Sequence, residues 1–188
     1  MYNKNVRKEI YMNYCPTCGT KLITKIDGID GETPYCETCQ KFVYPTFNSA
    51  ISSIILNPAM DHILLIEQYQ SKANVLVAGY VMKGEEDIIT LQREIKEEVD
   101  LDITGFYYND DAYYKKTNTL LHNYIVIASS MDYHLTNEVD EAMWFSLDQA
   151  KEMIKPHSLA EHFLLEGLKK IPHLSKEDFN TDFAKRAF

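Results

Sequence analysis

All four cysteines fall in the first quarter of the chain, as Cys15-Pro-Thr-Cys18 and Cys36-Glu-Thr-Cys39, two C-x-x-C pairs separated by 17 residues. Each pair brings two thiolates to one side of a tight turn, and Gly19 after the first supplies a residue that tolerates positive φ. Four sulfurs gathered in this way close a tetrahedron around Zn²⁺, and the spacing is that of a zinc ribbon. A redox dithiol would need only one pair, at a helix start, and disulfides are disfavoured in a reducing compartment. Residues 1–47 therefore read as a small zinc ribbon, and 48–188 as a second, larger domain.

The chain of 188 residues is long enough for one ordinary domain with a real core and a small module beside it. No stretch approaches the roughly 18 apolar residues of a membrane helix. The opening "MYNKNVRKEIYMNYC" is too polar for the apolar region of a signal peptide, so a cytoplasmic protein is expected. The formal net charge is −9, with +1 on residues 1–47 and −10 on the remainder. Such a balance gives no basic surface for a nucleic acid, which is not an expected partner. A small phosphate substrate remains compatible, because an acidic site can recruit the metal ions that bind it.

Beyond "YPTFN" the pattern turns to strands. "SAISSIIL" and "HILLIEQ" are apolar, β-branched runs joined by the turn-forming "NPAMD", which predicts a hairpin. "NVLVAG" predicts a short strand ending at Gly79, and "TLLHNYIVIAS" a long one. Ser146-x-x-Gln149 and Ser158-x-x-Glu161 are capping boxes opening two helices, and the tail from Pro172 reads as a short helix or a loose end.

Between Gly79 and the long strand lies the most charged segment, "GYVMKGEEDIITLQREIKEEV". Placed on a helix from Glu85 to Val99, Ile88, Leu91, Ile95 and Val99 form one apolar face, while Glu94, Glu97 and Glu98 share another. Like charges at such spacing destabilise a bare helix by a few tenths of a kcal/mol per pair, roughly, and these lie beyond the first turn where the helix dipole favours them. Oxygen ligands crowded together suit hard divalent cations such as Mg²⁺ or Mn²⁺.

From Gly79 there are five residues to Glu85, seven more to Arg93-Glu94, then Ile95, one residue, Glu97-Glu98, one residue, Asp100 and Leu101. This resembles the Nudix box, with Asp100 where the family has glycine. Asp tolerates the left-handed helix exit less well than Gly, so a slightly altered exit is expected. The resemblance implies an α/β fold, the Nudix α/β/α sandwich with a mixed sheet. It also implies hydrolysis of a diphosphate linkage, with Glu94 and Glu98 as principal Mg²⁺ or Mn²⁺ ligands and Glu97 joining them or acting as base. Glu85 and Arg93 would brace the arrangement.

An N-terminal zinc ribbon, a "YP" step at Tyr44-Pro45 and a following Nudix domain resemble the bacterial NADH pyrophosphatases. That likeness makes the Ala78 carbonyl a further metal contact and Glu138, in "NEVDEAMWF", a late acidic ligand, with Glu141 as the nearby alternative. The family's proline-rich specificity motif after the box is replaced here by "DAYYKKTNTLL". Aligned on Thr119, this puts Tyr114 and Lys116 at the substrate, Tyr114 stacking on a ring and Lys115 or Lys116 either meeting a phosphate or lying on a solvated loop.

Substrates implied are NADH, NAD⁺, ADP-ribose and related dinucleotides, cleaved to a nucleoside monophosphate; relatives of this type are often dimers. The rival readings are a non-catalytic Nudix sensor with a partner-binding ribbon, and a hydrolase removing NAD caps from RNA. "HSLAEH" is no zinc-protease helix, since His157 and His162 are five apart and do not share a face. Trp144 reads as core packing.

Overall fold

The structure, a computed structural model, describes residues 12–183. These separate into two compact units at the Phe47/Asn48 boundary.

The first unit is a three-stranded antiparallel sheet of β1 (Ile23–Asp27), β2 (Gly31–Cys36) and β3 (Lys41–Phe42), with β2 central. Its apolar content is small: Cys15, Cys36 and Val43 are its buried core, packed with Met12, Leu22 and Cys39. Two of three core residues are cysteines, so little besides the sulfurs holds this unit together. Below about 40 residues a core of this size usually needs a metal or disulfides.

The second unit is built on a six-stranded mixed sheet. Its strands are β4 (Asn48–Leu56), β5 (His62–Glu67), β6 (Val77–Tyr80), β7 (Ile103–Tyr114), β8 (Thr119–Ala128) and β9 (Glu141–Ser146). The order is β7-β8-β4-β5-β9, with β6 also paired to β4. β4 lies parallel to β8 along its whole length, while its other edge is shared: Ser53 back to Ala50 pairs with β6, and Ile55–Leu56 with β5. The expected hairpin is therefore present but short, reversed across Met60 at φ 62°.

Alternation along the strands divides the core. Ile51, Ile55, Leu64, Ile66, Tyr124 and Val126 face one side, against Leu91, Ile95 and Val99 of helix α1 (Asp87–Val99). Ile54, Leu56, Ile63, Leu65, Ile125 and Ile127 face the other, against Ala150 of α2 (Leu147–Met153) and Phe163 and Leu164 of α3 (Leu159–Lys170). Strands buried on both faces lose the apolar/polar alternation and read as continuous apolar runs, as "ISSIIL" and "ILLI" do.

Ser146 caps α2 with a complete capping box. Ser158 caps α3 by accepting from Glu161 N–H, while the Glu161 carboxylate accepts from His157 N–H. The tail forms two 3₁₀ turns, Ile171–His173 and Lys176–Asp178, and Asn180 bridges back to Phe106 with Phe179 buried. The last five residues of the tail lie outside the described residues, as do the first eleven of the chain. Among the described residues no helix is long and apolar enough to cross a membrane.

Candidate metal-binding active site

The apolar face of α1 anchors it against the sheet and thereby fixes where its carboxylates go. Glu94 and Glu98 are buried, at 9% and 3% exposure, and Glu97 is exposed. This is no solvated acidic face. Glu94 reaches its place because β6 has no side chain opposite it: a Cβ on Gly79 would lie 1.9 Å from the Glu94 carboxyl carbon. Gly79 is thus required by close approach.

Arg93 offsets part of the crowded negative charge. Its guanidinium donates to Glu85 Oε1 and Oε2 (3.0 and 2.9 Å), to Glu94 Oε1 (2.6 Å), to Glu97 Oε2 (2.9 Å) and to the Tyr80 carbonyl (3.1 Å). The forked geometry of arginine makes this possible; a lysine could not span it. Glu85 also accepts from Thr90 Oγ1 (2.8 Å) and Met82 N–H (3.2 Å). The Arg93 hydrogen bonds, with that of Thr90, hold Glu85 down to about 2. The loop from β6 into α1 is therefore stapled to the helix by an ion pair that is only partly exposed.

Glu98 is different. Its Oε2 is the buried side-chain oxygen without a hydrogen-bond partner among the described residues. Burial pushes its carboxyl up to about 8, and the charges of Glu94, Glu138 and Glu97 add to this, against a hydrogen bond from Gln68. Glu94 is also raised, by burial first, with Glu97 and Glu138 contributing. An uncompensated carboxylate of this kind is costly unless a cation shares the site. The donor set, all oxygen and mostly anionic, is that of a hard divalent metal. Glu138 sits in a turn ahead of β9, exposed and close enough to raise both buried carboxyls.

Asp100 ends α1 in the left-handed region, φ 53° and ψ 32°, with its N–H on the Lys96 carbonyl and its carboxylate 2.8 Å from Lys96 Nζ. It adopts the left-handed conformation that a glycine takes most readily at a helix exit.

The family model for the NUDIX domain matches residues 46–164. The chain belongs to the Nudix family. The NAD-capped RNA hydrolase ndx-9 of Caenorhabditis elegans is 29% identical over 147 residues, 74% of this chain and 38% of that protein. The NAD-capped RNA hydrolase NudC of Pseudomonas aeruginosa PAO1 is 26% identical over 155 residues, 80% of this chain and 54% of that protein. The chain thus spans about half or less of the length of these curated relatives. A crystal structure of a NUDIX hydrolase from Nitrosomonas europaea superposes with a TM-score of 0.62 at 16% identity, covering 86% of this chain and 92% of that one, which shows the shared fold.

The zinc-ribbon subtype of Nudix protein is consistent with the cysteine quartet. The sulfurs of Cys15, Cys18, Cys36 and Cys39 all lie within 4.8 Å of one another, with Cys18–Cys36 at 3.5 Å and Cys15–Cys39 at 3.9 Å. Gly19 turns the first pair at φ 73°, and Cys39 N–H donates to Cys36 Sγ. Zn–S bonds of about 2.3 Å imply tetrahedron edges of about 3.8 Å, so the quartet fits zinc. All four thiols are free.

The residues expected at the substrate are placed on a hairpin. Tyr114 ends β7 paired with Thr119, which opens β8, and Lys115 and Lys116 lie exposed in the turn between them. Thr119 is buried, its hydroxyl 2.8 Å from Thr117 Oγ1. Ala78 pairs with Ser52, one residue before Gly79. Glu141 opens β9, its carboxylate 3.7 Å from Lys72. Trp144 is partly buried against the α1-side core and donates to the Met131 carbonyl.

Gln68, Tyr80 and Met82 escaped the sequence reading. Gln68 lowers the Glu98 carboxyl from a remote turn, which no local pattern announces. Tyr80 and Met82, at 51% and 60% exposure, are large apolar side chains left in water next to the box glycine. Their positions inside the box, where the pattern leaves any residue free, were the available signal.

Proposed function

We propose that the chain hydrolyses the diphosphate linkage of a nucleoside diphosphate derivative of the NADH or ADP-ribose type, using Mg²⁺ or Mn²⁺. The observation that carries this reading is the buried, unpartnered oxygen of Glu98 among three further carboxylates. Glu94, Glu98, Glu138 and the Ala78 carbonyl would hold the metal, with Glu97 beside them. Bound there, a divalent cation supplies Lewis-acid stabilisation of charge developing on the phosphoryl and bridging oxygens.

The chain's own residues do the rest. Exposed Glu97 takes the proton of the attacking water as its oxygen bonds to one phosphorus. The bond from that phosphorus to the bridging oxygen breaks, and the bridging oxygen leaves as part of the second phosphate monoester. Arg93 and Glu85 keep the box loop against α1, which holds the carboxylates in place for the next turnover. Tyr114, at the end of β7 and paired with Thr119, stacks on a nucleobase or nicotinamide ring, and Lys116 meets a phosphate from the adjoining turn.

The quartet Cys15, Cys18, Cys36 and Cys39 holds structural Zn²⁺, and a reducing, cytoplasmic setting would keep these sulfurs available to the metal. A homodimer is the oligomer this reading favours. The names of the two relatives favour NAD-capped RNA as a second substrate, because the cap contains the same diphosphate bond. The test is AMP release from NADH, ADP-ribose and an NAD-capped oligonucleotide side by side with Mg²⁺ or Mn²⁺. Hydrolysis of at least one is expected; binding without hydrolysis of any would overturn the proposal in favour of a ligand sensor.

A further inference from the structure

The turn after β5 is strained. Tyr69 and Gln70 are consecutive non-glycine residues in the left-handed region, at φ 57° and 58°, and Ser71 N–H closes the turn on the Gln68 carbonyl at 3.0 Å. Hairpin turns of this kind are ordinarily built from Asn-Gly, because both central residues need positive φ. Here a tyrosine, 87% exposed, and a glutamine occupy them, so nothing intrinsic to the pair or buried beneath the ring pays for the conformation. Such strain persists only where surrounding contacts over-determine it.

The contact that does so comes from Asp140. Its Oδ2 accepts from Gln70 N–H at 2.5 Å, and its own N–H donates to the Glu67 carbonyl at 2.9 Å. One residue thus grips both ends of the turn. On one side of the grip lies Gln68, which opens the turn and draws the Glu98 carboxyl down. On the other, two residues back along the chain, lies Glu138.

We propose that Asp140 is a positioning residue: by clamping the strained 68–71 turn it fixes Gln68 against the Glu98 carboxylate and ties the Glu138 loop to the same frame. The inference rests on the metal-dependent reading above. Asp140 touches neither substrate nor metal; it acts through Gln68 and the loop geometry.

The test compares four full-length proteins: the wild type, Asp140→Asn, Asp140→Ala, and Asp140→Ala combined with Tyr69→Asn and Gln70→Gly. Asparagine keeps a side-chain oxygen for Gln70 N–H while removing the charge. The Asn-Gly pair makes the turn self-supporting without Asp140. Two readouts are needed, amide hydrogen exchange at Gln70 and Ser71, and Mn²⁺ affinity followed by electron paramagnetic resonance. Asp140→Ala should speed exchange at both amides by at least about tenfold, as expected for losing a hydrogen bond to a charged group, and should weaken Mn²⁺, through the indirect coupling, by about five- to tenfold. Asp140→Asn should stay within about twofold on both, and the triple variant should recover most of the Mn²⁺ affinity.

Faster exchange with unchanged Mn²⁺ affinity would overturn the coupling and leave the diphosphatase reading standing. Equal loss in Asp140→Asn and Asp140→Ala, without recovery in the triple variant, would reduce Asp140 to a bulk charge and also overturn it. A wild type that binds no Mn²⁺ would overturn both readings together.

Discussion

The two units solve one problem in opposite ways. Each gathers groups that repel one another when ionised, four thiolates in the ribbon and four carboxylates around α1. In the ribbon the sulfurs already converge within 4.8 Å of one another; among the described residues no comparable set of carboxylate oxygens does. The thiols shift in opposite directions: a hydrogen bond with Thr20 holds Cys18 down to about 6, while its bond with Cys18 pushes Cys39 up to about 12. The carboxylates instead have an internal counterion, Arg93, which takes Glu94 and Glu97 and leaves Glu98 unpaid. A closed quartet suits an ion that stays; an open cluster with one orphaned oxygen suits ions that arrive with substrate.

The comparison breaks most visibly at Cys36. Replacing it with serine removes a thiolate from a core that has little else, and structural zinc sites contribute about 10–16 kcal/mol of apparent binding free energy to folding. Cys36→Ser should release zinc and abolish amide protection in residues 12–47, while residues 48–183 keep theirs; exchange mapped by mass spectrometry reads both.

Next in size is the pH dependence of the metal-free protein. The carboxyl of Glu98 is raised from an ordinary value near 4.5 to about 8, so the folded state holds its proton where the unfolded chain has lost it. The sign follows: the folded state loses stability as pH rises from about 4.5 to about 8, by on the order of 5 kcal/mol at most, and none of this loss applies below pH 4. Urea titrations of the metal-free wild type should show that decline, and Glu98→Gln should flatten it. A wild-type profile flat across that window would show that Glu98 is not penalised.

Gly79→Ala sharpens the same point from the strand side. The new Cβ would occupy the place of the Glu94 carboxylate, so that side chain must leave the site. A stability loss of about 1–3 kcal/mol is expected by denaturant titration, as for other forced overpacking. The smallest effect belongs to Asp100→Gly, which relieves a left-handed φ at the cost of an exposed ion pair and should stabilise by about 0.5–1 kcal/mol, read as a rise in Tm.

What the sequence made legible divides along local and distant lines. The apolar face of α1, the runs of β4, β5 and β8 and both serine caps are periodic or nearest-neighbour features, and each was readable. β7 was not, because it lies at the sheet edge, mixes tyrosines with aspartates and carries irregularities near Gly105 and Asn109 that break its alternation. The same strand makes "DAYY" the first arm of a hairpin that returns at Thr119. Around the site, Arg93, Glu94, Glu97 and Glu98 follow from spacing on one helix, whereas Glu85, expected on that helix, lies in the loop before it. The Gln68 contact, the Asp140 grip and the clash that makes Gly79 necessary join residues from separate elements, and only tertiary packing brings them together.

The most direct measurement is the turnover of ADP-ribose and NADH by wild type and Glu98→Gln under saturating Mn²⁺. If buried carboxylate crowding exists to hold catalytic metal, AMP release should fall by about 10³-fold or more in Glu98→Gln with the fold unchanged by circular dichroism. Turnover within a few-fold of wild type in that variant would contradict the account.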